Sequence, residues 1–451
     1  MAPDDRQRHF DVIILGGGPG GTAAGMTLLK RDGVDVAVVE ASNYTSPRIG
    51  ESLTPGVRPL LEYLDIWQRF RSEQSLESFG SQAAWGSDYL QALDYMFTPH
   101  GAGWCLDRVR FDRMLASAFR DRGGHLLTNT HFVGCVRKSN GSWGVQVKDA
   151  EKNLRQISCK YLIDATGRRG QLARHLNVSR AMHDRLVGIG RIGQFSADQS
   201  VESVTQVEAC EYGWWYTSPV PGNKISVVLM CDADIVSRRQ AARPDRWQSL
   251  LKDTKLIDER IRGIEFTAKP EAFPCFSSCL KQVGGKDWVA VGDAAASHDP
   301  LSATGIPHAI GSGIHGALVA ANALFSNGGL LQSYQQSIYT DFQQYLRTHW
   351  RYYQREPRWP ESTFWKRRRT PISIDPNATI GRAAPTSSDL DQGLVHLPAR
   401  HSQQLFERCQ PGHAAHQIVS AFANDHPQIP DQRIILGLQE LVVSGYLKVG
   451  S

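Results

Sequence analysis

The sequence contains no run of about 20 uninterrupted apolar residues, and its first residues, Met1–His9, are charged rather than apolar. We therefore expect neither a membrane span nor a secretory leader, and we predict a cytoplasmic protein with no membrane partner. The eight cysteines are scattered without the paired spacing of metal ligands, so we expect buried, reduced thiols and no metal site. A formal net charge of +5 is too small to indicate a nucleic-acid partner.

A strand–turn–helix–strand pattern stands near the start of the chain. The apolar run Asp11–Leu15 predicts a strand, the glycines of residues 16–21 a tight turn, and Thr22–Lys30 a helix. A second strand, Val34–Val39, ends at Glu40. Strands joined by one helix in this way lie parallel, so the pattern predicts an α/β fold with a parallel sheet.

The glycine turn has the spacing of a dinucleotide-binding site. Gly16 permits the tight turn, Gly18 lets a pyrophosphate approach the backbone, and Gly21 allows the helix and the strand to pack closely. Gly20 lies in the same turn, where the helix N-terminus offers free N–H groups to a phosphate. Glu40 is placed to accept hydrogen bonds from ribose hydroxyls. These five residues form the predicted dinucleotide site.

A second motif, far along the chain, distinguishes FAD from NAD. The buried strand predicted at Trp288–Val291 ends at Gly292 and Asp293, where Gly292 admits the cofactor and Asp293 binds the ribityl chain. A long helix follows, and the partial positive charge at its N-terminus would stabilise negative charge on a reduced flavin. NAD enzymes have no need of this element, so FAD is the predicted cofactor. The further predicted flavin contacts are Pro300, Gly305 and Ile306.

Periodicity and composition divide the chain into several parts. The predicted parts are a discontinuous FAD-binding domain (8–80, 105–180 and 286–330), an antiparallel-sheet substrate domain (81–104 and 181–285), a helical segment (331–375), a polar linker (376–392) and a C-terminal accessory domain (393–451). The accessory domain is predicted to be a small α+β module, because a helix that runs into a short hairpin resembles a winged helix.

Five segments together resemble a known family: the glycine turn 16–21, Arg48-Ile49-Gly50-Glu51-Ser52, Arg108 with Phe111-Asp112, Asp164-Ala165-Thr166-Gly167, and Gly292-Asp293. They are similar to the flavoprotein monooxygenases with the hydroxybenzoate hydroxylase fold, in the branch that includes the flavin-dependent tryptophan halogenases. The resemblance covers roughly residues 10–370 and implies a Rossmann-like FAD-binding fold. It also implies FAD contacts from Glu40, Arg48, Arg108 and Asp293.

Two departures from the halogenase pattern argue against halogenation. A halogenase requires a lysine some thirty residues after the Gly-Glu step, and no lysine occurs from Arg31 through Arg137. In the segment 213–219, Tyr216 and Ser218 stand where the second tryptophan and the isoleucine of the halogenase W-x-W-x-I-P phrase would be.

Four segments, 81–86, 213–219, 292–306 and 352–359, are similar to the flavoproteins that mature peptidyl tryptophylquinone cofactors. This narrower resemblance implies a monooxygenase that hydroxylates a tryptophan ring within the small subunit of quinohemoprotein amine dehydrogenase. A maturation partner that holds this subunit is compatible with the sequence. Reduced flavin and O2 would form a C4a-hydroperoxide that transfers an electrophilic hydroxyl to the indole. Because no second glycine-rich turn for nicotinamide is evident, either NADH binds transiently or a separate flavin reductase supplies the electrons.

Two groups of residues are candidates for the chemistry. Those next to the predicted flavin edge could accept the ring proton, although a cap or hydrogen-bond role is the plainer alternative; they are Glu51, His298 and Asp299. Aromatic residues that could line the substrate pocket, or instead form sheet core, are Trp85, Trp214, Trp215 and Tyr216.

Three rival functions remain open at this point: a flavin-dependent halogenase of an aromatic substrate, an FAD-dependent reductase of isoprenoid double bonds, and a non-enzymatic regulator built on the accessory domain. A cluster of arginine, lysine and aromatic residues within 347–369 also has two interpretations. It could dock a protein substrate with acidic flanks, or it could be a solvated helix face.

Overall fold

The computed structural model describes residues 8–95, 98–196, 201–326, 328–369, 374–383, 390, 394, 396–443 and 446–450. The chain forms two compact units, Met1–Tyr339 and Thr340–Ser451. Within the described residues, no helix combines the length and the apolar character that crossing a bilayer requires. All eight cysteines are buried, and none forms a disulfide.

The strands, in chain order, are β1 His9–Leu15, β2 Val36–Val39, β3 Ser52–Leu53, β4 Leu76–Ser78, β5 Gly80–Ala84, β6 Gln91–Asp94, β7 Gly103–Cys105, β8 His125–Leu127, β9 His131–Arg137, β10 Trp143–Lys148, β11 Leu154–Asp164, β12 Arg180–Met182, β13 Leu186–Gln194, β14 Thr205–Cys210, β15 Gly213–Val220, β16 Lys224–Asp232, β17 Glu271–Pro274, β18 Ser278–Leu280, β19 Gly284–Gly285, β20 Trp288–Ala290, β21 Ala296–Ser297, β22 Thr379–Arg382, β23 His413–Ala414 and β24 Leu447–Val449.

The α-helices are α1 Pro19–Leu28, α2 Arg58–Tyr63, α3 Trp67–Ser72, α4 Arg108–Asp121, α5 Gln171–His175, α6 Ala233–Arg239, α7 Pro244–Leu251, α8 Leu256–Arg260, α9 Gly305–Phe325, α10 Leu330–Gln354, α11 Thr363–Arg369, α12 Ala399–Arg408, α13 Ala415–Asp425 and α14 Asp431–Val443. The predicted first helix thus begins earlier than expected, at the proline of the glycine turn, because a proline is well accommodated in the first turn of a helix.

The first unit is built on a mostly parallel sheet in which β20, β11, β1, β2 and β8 lie side by side, all parallel. Residues 12–15 of β1 are completely buried, as an uninterrupted apolar strand in a sheet covered on both faces must be. Helix α1 connects β1 to β2 and packs against α9 and α4. The predicted βαβ unit and its parallel sheet are therefore confirmed.

A second, mainly antiparallel sheet follows the order β17-β13-β16-β15-β14-β5-β6. It brings residues 80–94 beside residues 186–274, and β5 pairs with β14 in parallel. The sequence segments expected to form the substrate domain supply these strands. The α/β FAD-binding fold with an attached antiparallel sheet is thus the fold observed.

The second unit contains helices α12, α13 and α14 and a three-stranded sheet of order β23-β22-β24. Its core includes Ile380, Leu405, Phe422 and Leu441, all with at most 1% exposure. Two features differ from expectation. Strand β22 lies inside the predicted linker 376–392, and β24 pairs with β22 rather than closing a hairpin. Isolated short strands carry little periodicity, so the pairing was hidden from the sequence.

Candidate FAD site and catalytic region

Four parallel strands of the first unit end along one edge of the sheet. The strands β1, β2, β11 and β20 each lead into a turn at their carboxyl end, and these turns contain the glycine turn, Glu40, Asp164 and Gly292. Ligands of doubly wound α/β sheets bind outside this edge, so the topology gathers the predicted cofactor residues in one place.

The glycines of the turn differ in how much space surrounds them. A Cβ on Gly16, whose φ is +103°, would lie 2.2 Å from the Ala165 carbonyl oxygen, and one on Gly21 would lie 1.9 Å from the Gly16 oxygen. A Cβ on Gly18, in contrast, would meet no heavy atom within 4 Å. Gly16 and Gly21 are therefore required by the protein's own packing, whereas Gly18 keeps open the space in front of helix α1.

The same turn depends on a close approach of two helices. A Cβ on Gly20 would lie 3.0 Å from the Ala309 oxygen of α9, and one on Gly313 would lie 2.2 Å from the Gly20 oxygen. The two helices pack backbone against backbone here. Because α9 begins at Gly305, this contact fixes the N-terminus of α9 relative to the glycine turn.

Glu40 is 6% exposed and bonds the glycine turn itself. Its Oε2 accepts from the Gly17 backbone N–H at 2.7 Å, and its Oε1 accepts from the Ser42 N–H at 2.9 Å. Arg48 approaches Oε1 at 3.3 Å. These contacts hold the carboxylate at the end of β2, where an adenosine ribose would lie.

Asp112 joins the two arginines that the family resemblance assigned to FAD. Its carboxylate, 1% exposed, accepts from Arg48 at 2.9 Å and from both Nε and Nη2 of Arg108 at 3.1 Å. Burial works to lower the pKa of Arg108, but the nearby carboxylates of Asp112, Glu51 and Asp293 together outweigh burial and raise the pKa above its ordinary value. Arg108 also donates to the Ile49 carbonyl at 3.0 Å, which anchors the loop before Glu51. The importance of Asp112 was missed from the sequence, since only a folded contact shows one carboxylate serving both arginines.

Asp293 is held by an arginine that the sequence analysis did not select. Arg168 donates to the Asp293 carboxylate at 2.6 Å and to the His298 carbonyl at 2.6 Å. Gly292 has a φ of +58°, and its backbone N–H donates to the Ser312 hydroxyl of α9 at 2.7 Å. Arg168 follows directly on the Asp164–Gly167 motif, which was the available signal for it.

The segment between Gly292 and α9 places the remaining predicted residues. Asp299, 1% exposed, accepts from the Leu301 N–H at 2.8 Å and so caps the short 3-10 helix Pro300–Ser302. The His298 ring lies 4.5 Å from the His308 ring, centroid to centroid. Burial, then the nearby His308 and Arg168, lower the pKa of His298 well below its ordinary value, so His298 is neutral near pH 7. Ile306 is 8% exposed at the start of α9.

Glu51 directly precedes β3 and contacts Tyr216 of the antiparallel sheet. It is 2% exposed, and its Oε2 accepts from the Gly50 N–H at 3.1 Å and from the Tyr216 hydroxyl at 3.2 Å. Its Oε1 is buried and has no hydrogen-bond partner. Burial raises the pKa of Glu51 above its ordinary value. The structure thus brings together Glu51 and Tyr216, which are 165 residues apart in the chain.

The other predicted pocket residues divide between the two faces of strand β15. Trp214 and Tyr216 share one face, with their rings 6.2 Å apart. Trp215 points the other way and packs edge-on against Trp247 of α7 at 5.2 Å, as a core residue does. Trp85, just after β5, is 6% exposed. Tyr216 and Trp214 therefore share the face of β15 that meets Glu51, and Trp215 does not.

The basic and aromatic cluster of the second unit is partly used within that unit. Arg358 pairs with the fully buried Glu356 at 2.6 Å, and the Arg368 guanidinium lies 3.7 Å from the Phe364 ring centroid. Lys366 pairs with Glu361. A part of this charge therefore stabilises the unit itself, which is neither of the two interpretations drawn from the sequence.

The geometry of the first unit fits FAD. Open space at Gly18 faces a helix N-terminus, Glu40 stands at the end of β2, and Asp293 is held at the end of β20. Within the described residues, no group of three or more histidine, cysteine or acidic side chains could hold a metal ion. A dinucleotide site with an additional late Gly-Asp element defines a flavoprotein.

Comparison with known proteins agrees with this class. The model of the FAD binding domain family matches residues 9–337, and the chain belongs to that family. The chain is 33% identical over 365 residues to a protein named as an FAD-dependent oxidoreductase, LodB of Marinomonas mediterranea, covering 80% of this chain and 96% of that one. It is 25% identical over 331 residues to tryptophan 2-halogenase of Chondromyces crocatus, covering 70% of this chain and 61% of that one.

Solved structures show the same fold. The myxobacterial chondrochloren halogenase CndH superposes with a TM-score of 0.72 at 19% identity, covering 97% of both chains. The peptidyl tryptophan dihydroxylase QhpG, essential for tryptophylquinone cofactor biogenesis, superposes with a TM-score of 0.65 at 20% identity, covering 97% of this chain and 99% of that one.

These findings confirm the predicted cofactor and the predicted fold. The protein is an FAD-dependent oxidoreductase.

Proposed function

We propose that the protein is an FAD-dependent monooxygenase that hydroxylates the ring of a protein-bound tryptophan during tryptophylquinone biogenesis. The proposed substrate is the small subunit of quinohemoprotein amine dehydrogenase, alone or held by a maturation partner. In each hydroxylation one atom of O2 is inserted at a ring C–H bond and the other leaves as water. NADH, used directly or through a separate flavin reductase, supplies the two electrons.

The observation that carries the proposal is the contact between Tyr216 and Glu51. At the position of the second tryptophan of the halogenase phrase this chain has a tyrosine, whose hydroxyl donates to a buried carboxylate at 3.2 Å. The segment in which a halogenase requires its lysine contains none. A site that contains a candidate base but no lysine to direct hypohalous acid suits hydroxylation better than halogenation.

We assign the cofactor contacts to the residues that the fold gathers at the sheet edge. The glycine turn with α1 would hold the pyrophosphate, Glu40 the ribose, and Asp293, positioned by Arg168, the ribityl chain. Arg48 and Arg108, neutralised by Asp112, would hold the loop that leads to Glu51. When bound, FAD supplies the electrons and the oxygen activation that electrophilic ring hydroxylation requires.

The chain's own residues would then complete the reaction. The face of β15 that carries Trp214 and Tyr216 would receive the indole, with Trp85 as a further candidate. Glu51 would accept the proton released from the ring carbon that gains oxygen, because its buried carboxylate has a raised pKa and an unoccupied oxygen. His298 and Asp299 have structural contacts of their own and are secondary candidates for this role.

The test is intact-mass analysis of the purified small subunit after incubation with this protein, FAD, NADH and 18O-labelled O2, with and without a flavin reductase. A labelled gain of one or two oxygens on a tryptophan is expected. An unmodified subunit contradicts the proposal, and a mass gain that depends on added halide indicates a halogenase. Turnover of an isoprenoid substrate without oxygen would indicate the reductase.

A matched pair of variants tests the proposed base. Glu51→Gln should retain FAD but form product about 100-fold more slowly, in the range found for loss of a general base. Glu77→Gln makes the same change at an exposed position of β4 and should behave like the wild type. Equal product formation by the two variants would remove Glu51 from the mechanism.

A further inference from the structure

We infer that Tyr216 is a positioning residue that fixes which oxygen of Glu51 faces the substrate, leaving Oε1 as the single proton-accepting atom. This inference rests on the proposed hydroxylation and adds to it a residue and an atom.

The asymmetry of the Glu51 carboxylate is the starting observation. The two groups that reach hydrogen-bond geometry with this carboxylate, the Gly50 N–H and the Tyr216 hydroxyl, both bond Oε2, at 3.1 and 3.2 Å. Oε1 is equally buried and receives no hydrogen bond. A buried polar atom without a partner is costly, and such atoms occur where a ligand or a reacting group completes the contact. The geometry therefore leaves Oε1 as the oxygen that is available to accept a proton from the substrate.

Glu51 is faced by Arg108 of α4, Cys105 of β7 and Ser226 of β16 as well as by Tyr216. The Ser226 hydroxyl works to lower the pKa of Glu51, but it is buried without reaching hydrogen-bond geometry, whereas the Tyr216 hydroxyl does reach it. Arg108 is neutralised by its bidentate contact with Asp112. Burial raises the pKa of the Cys105 thiol to about 11, so it stays neutral.

The Tyr216 hydroxyl itself has a pKa well above its ordinary value, because of burial and then the Glu51 charge. It therefore remains a donor over the working pH range and cannot compete for the ring proton. Cys275, which faces Tyr216 from the other side, is also a neutral thiol, since burial raises its pKa to about 12.

The proton balance of the step is simple. After oxygen has been added to the ring carbon, the C–H bond at that carbon breaks, its electron pair restores the aromatic ring, and the proton passes to Oε1. Oε2 keeps its two donors throughout, so the negative charge lost at Oε1 requires no rearrangement of the site. No reagent beyond those of the proposed reaction is needed.

Replacing Tyr216 by phenylalanine tests the inference because the ring remains and only the donor is lost. A hydrogen bond to a charged group contributes about 1.5–3 kcal/mol, which corresponds to about one to two pH units. Since the bond favours the ionised carboxylate, Tyr216→Phe should raise the pKa of Glu51 by this amount. The control is Tyr212→Phe, which removes an equally buried hydroxyl whose 2.8 Å bond goes to the Leu250 carbonyl, away from Glu51.

The first readout is infrared titration of the protonated carboxyl band in the FAD-loaded protein, assigned to Glu51 by its loss in Glu51→Gln. The band should persist to a pH about one to two units higher in Tyr216→Phe and should titrate as in the wild type in Tyr212→Phe. The rising limb of the pH profile for hydroxylated product should shift by the same amount, while reduction of the bound flavin is unchanged.

Identical titration of Glu51 in wild type and Tyr216→Phe would overturn the inference, as would a loss of product that is equal at every pH. Failure of the proposed function looks different: the wild type then makes no hydroxylated product at any pH. In that case the infrared titration still decides whether Tyr216 controls Glu51.

Discussion

Replacing Gly18 by alanine separates the needs of the cofactor from those of the protein. An added Cβ would have no neighbour within 4 Å, and the Gly18 φ of −72° is one that alanine readily adopts. In the FAD-free protein the change should therefore raise the free energy of unfolding by about 0.4–1 kcal/mol, because the unfolded chain loses conformational freedom. The same methyl group would occupy the space in which a pyrophosphate approaches helix α1. Crowding of this kind costs about 1–3 kcal/mol, or about 5- to 150-fold in the Kd for FAD.

The assay is thermal unfolding of the FAD-free protein together with calorimetric titration of FAD. Gly311→Ala is the control, since its Cβ would touch only Leu60, at 4.0 Å, on the side of α9 away from the glycine turn. We expect it to bind FAD like the wild type. The reasoning is refuted if Gly18→Ala binds FAD with unchanged affinity, or if it lowers the melting temperature of the FAD-free protein.

Three further predictions follow from the site. Gly21→Ala would place a Cβ 1.9 Å from the Gly16 oxygen, a backbone atom that cannot move aside, and should destabilise even the FAD-free protein by about 3 kcal/mol, measured by urea unfolding. Asp112→Asn removes the carboxylate shared by two arginines and should lower the free energy of unfolding by about 3 kcal/mol and abolish most of the FAD affinity. An unchanged free energy of unfolding would contradict the stabilising role of these contacts. Because the pKa of Glu51 is raised in the folded protein, wild-type stability is undiminished at a pH below the ordinary pKa of glutamate and falls as the pH rises through the raised value. The melting temperature of FAD-free Glu51→Gln minus that of the wild type should therefore grow with pH. A difference that stays constant with pH would refute the raised pKa.

The cofactor half of the protein could be predicted closely because its signals are local. A strand, a glycine turn and a helix within some twenty residues specify one βαβ unit, and the structure has it, with β1 at His9–Leu15 and α1 at Pro19–Leu28. The steric demands at Gly16 and Gly21 also followed from spacing alone. The place of β22 did not follow from the sequence, because β22 is a four-residue strand whose pairing partners lie 33 or more residues further along the chain.

The catalytic region was predicted only in part, since its contacts are long-range. The sequence marked Glu51 and Tyr216 separately, one as a candidate base and one as a pocket residue, and gave no reason to pair them. It likewise grouped Trp214 with Trp215, although neighbouring residues of a strand point to opposite faces and Trp215 packs against Trp247. Arg168 was not selected because an arginine after a glycine has no distinctive pattern until its partner Asp293 is known.

The sequence by itself determined that this chain binds a dinucleotide, since short-range spacing fixes the turn, the helix N-terminus and the acidic residue after β2. The separate motif Gly292-Asp293 then identified that dinucleotide as FAD. Only the tertiary structure decided which carboxylate oxygen is left without a donor and which arginine holds Asp293. The physical reason is that a binding turn is built from neighbours in the chain, whereas burial and hydrogen-bond partners depend on distant segments that meet only when the chain folds.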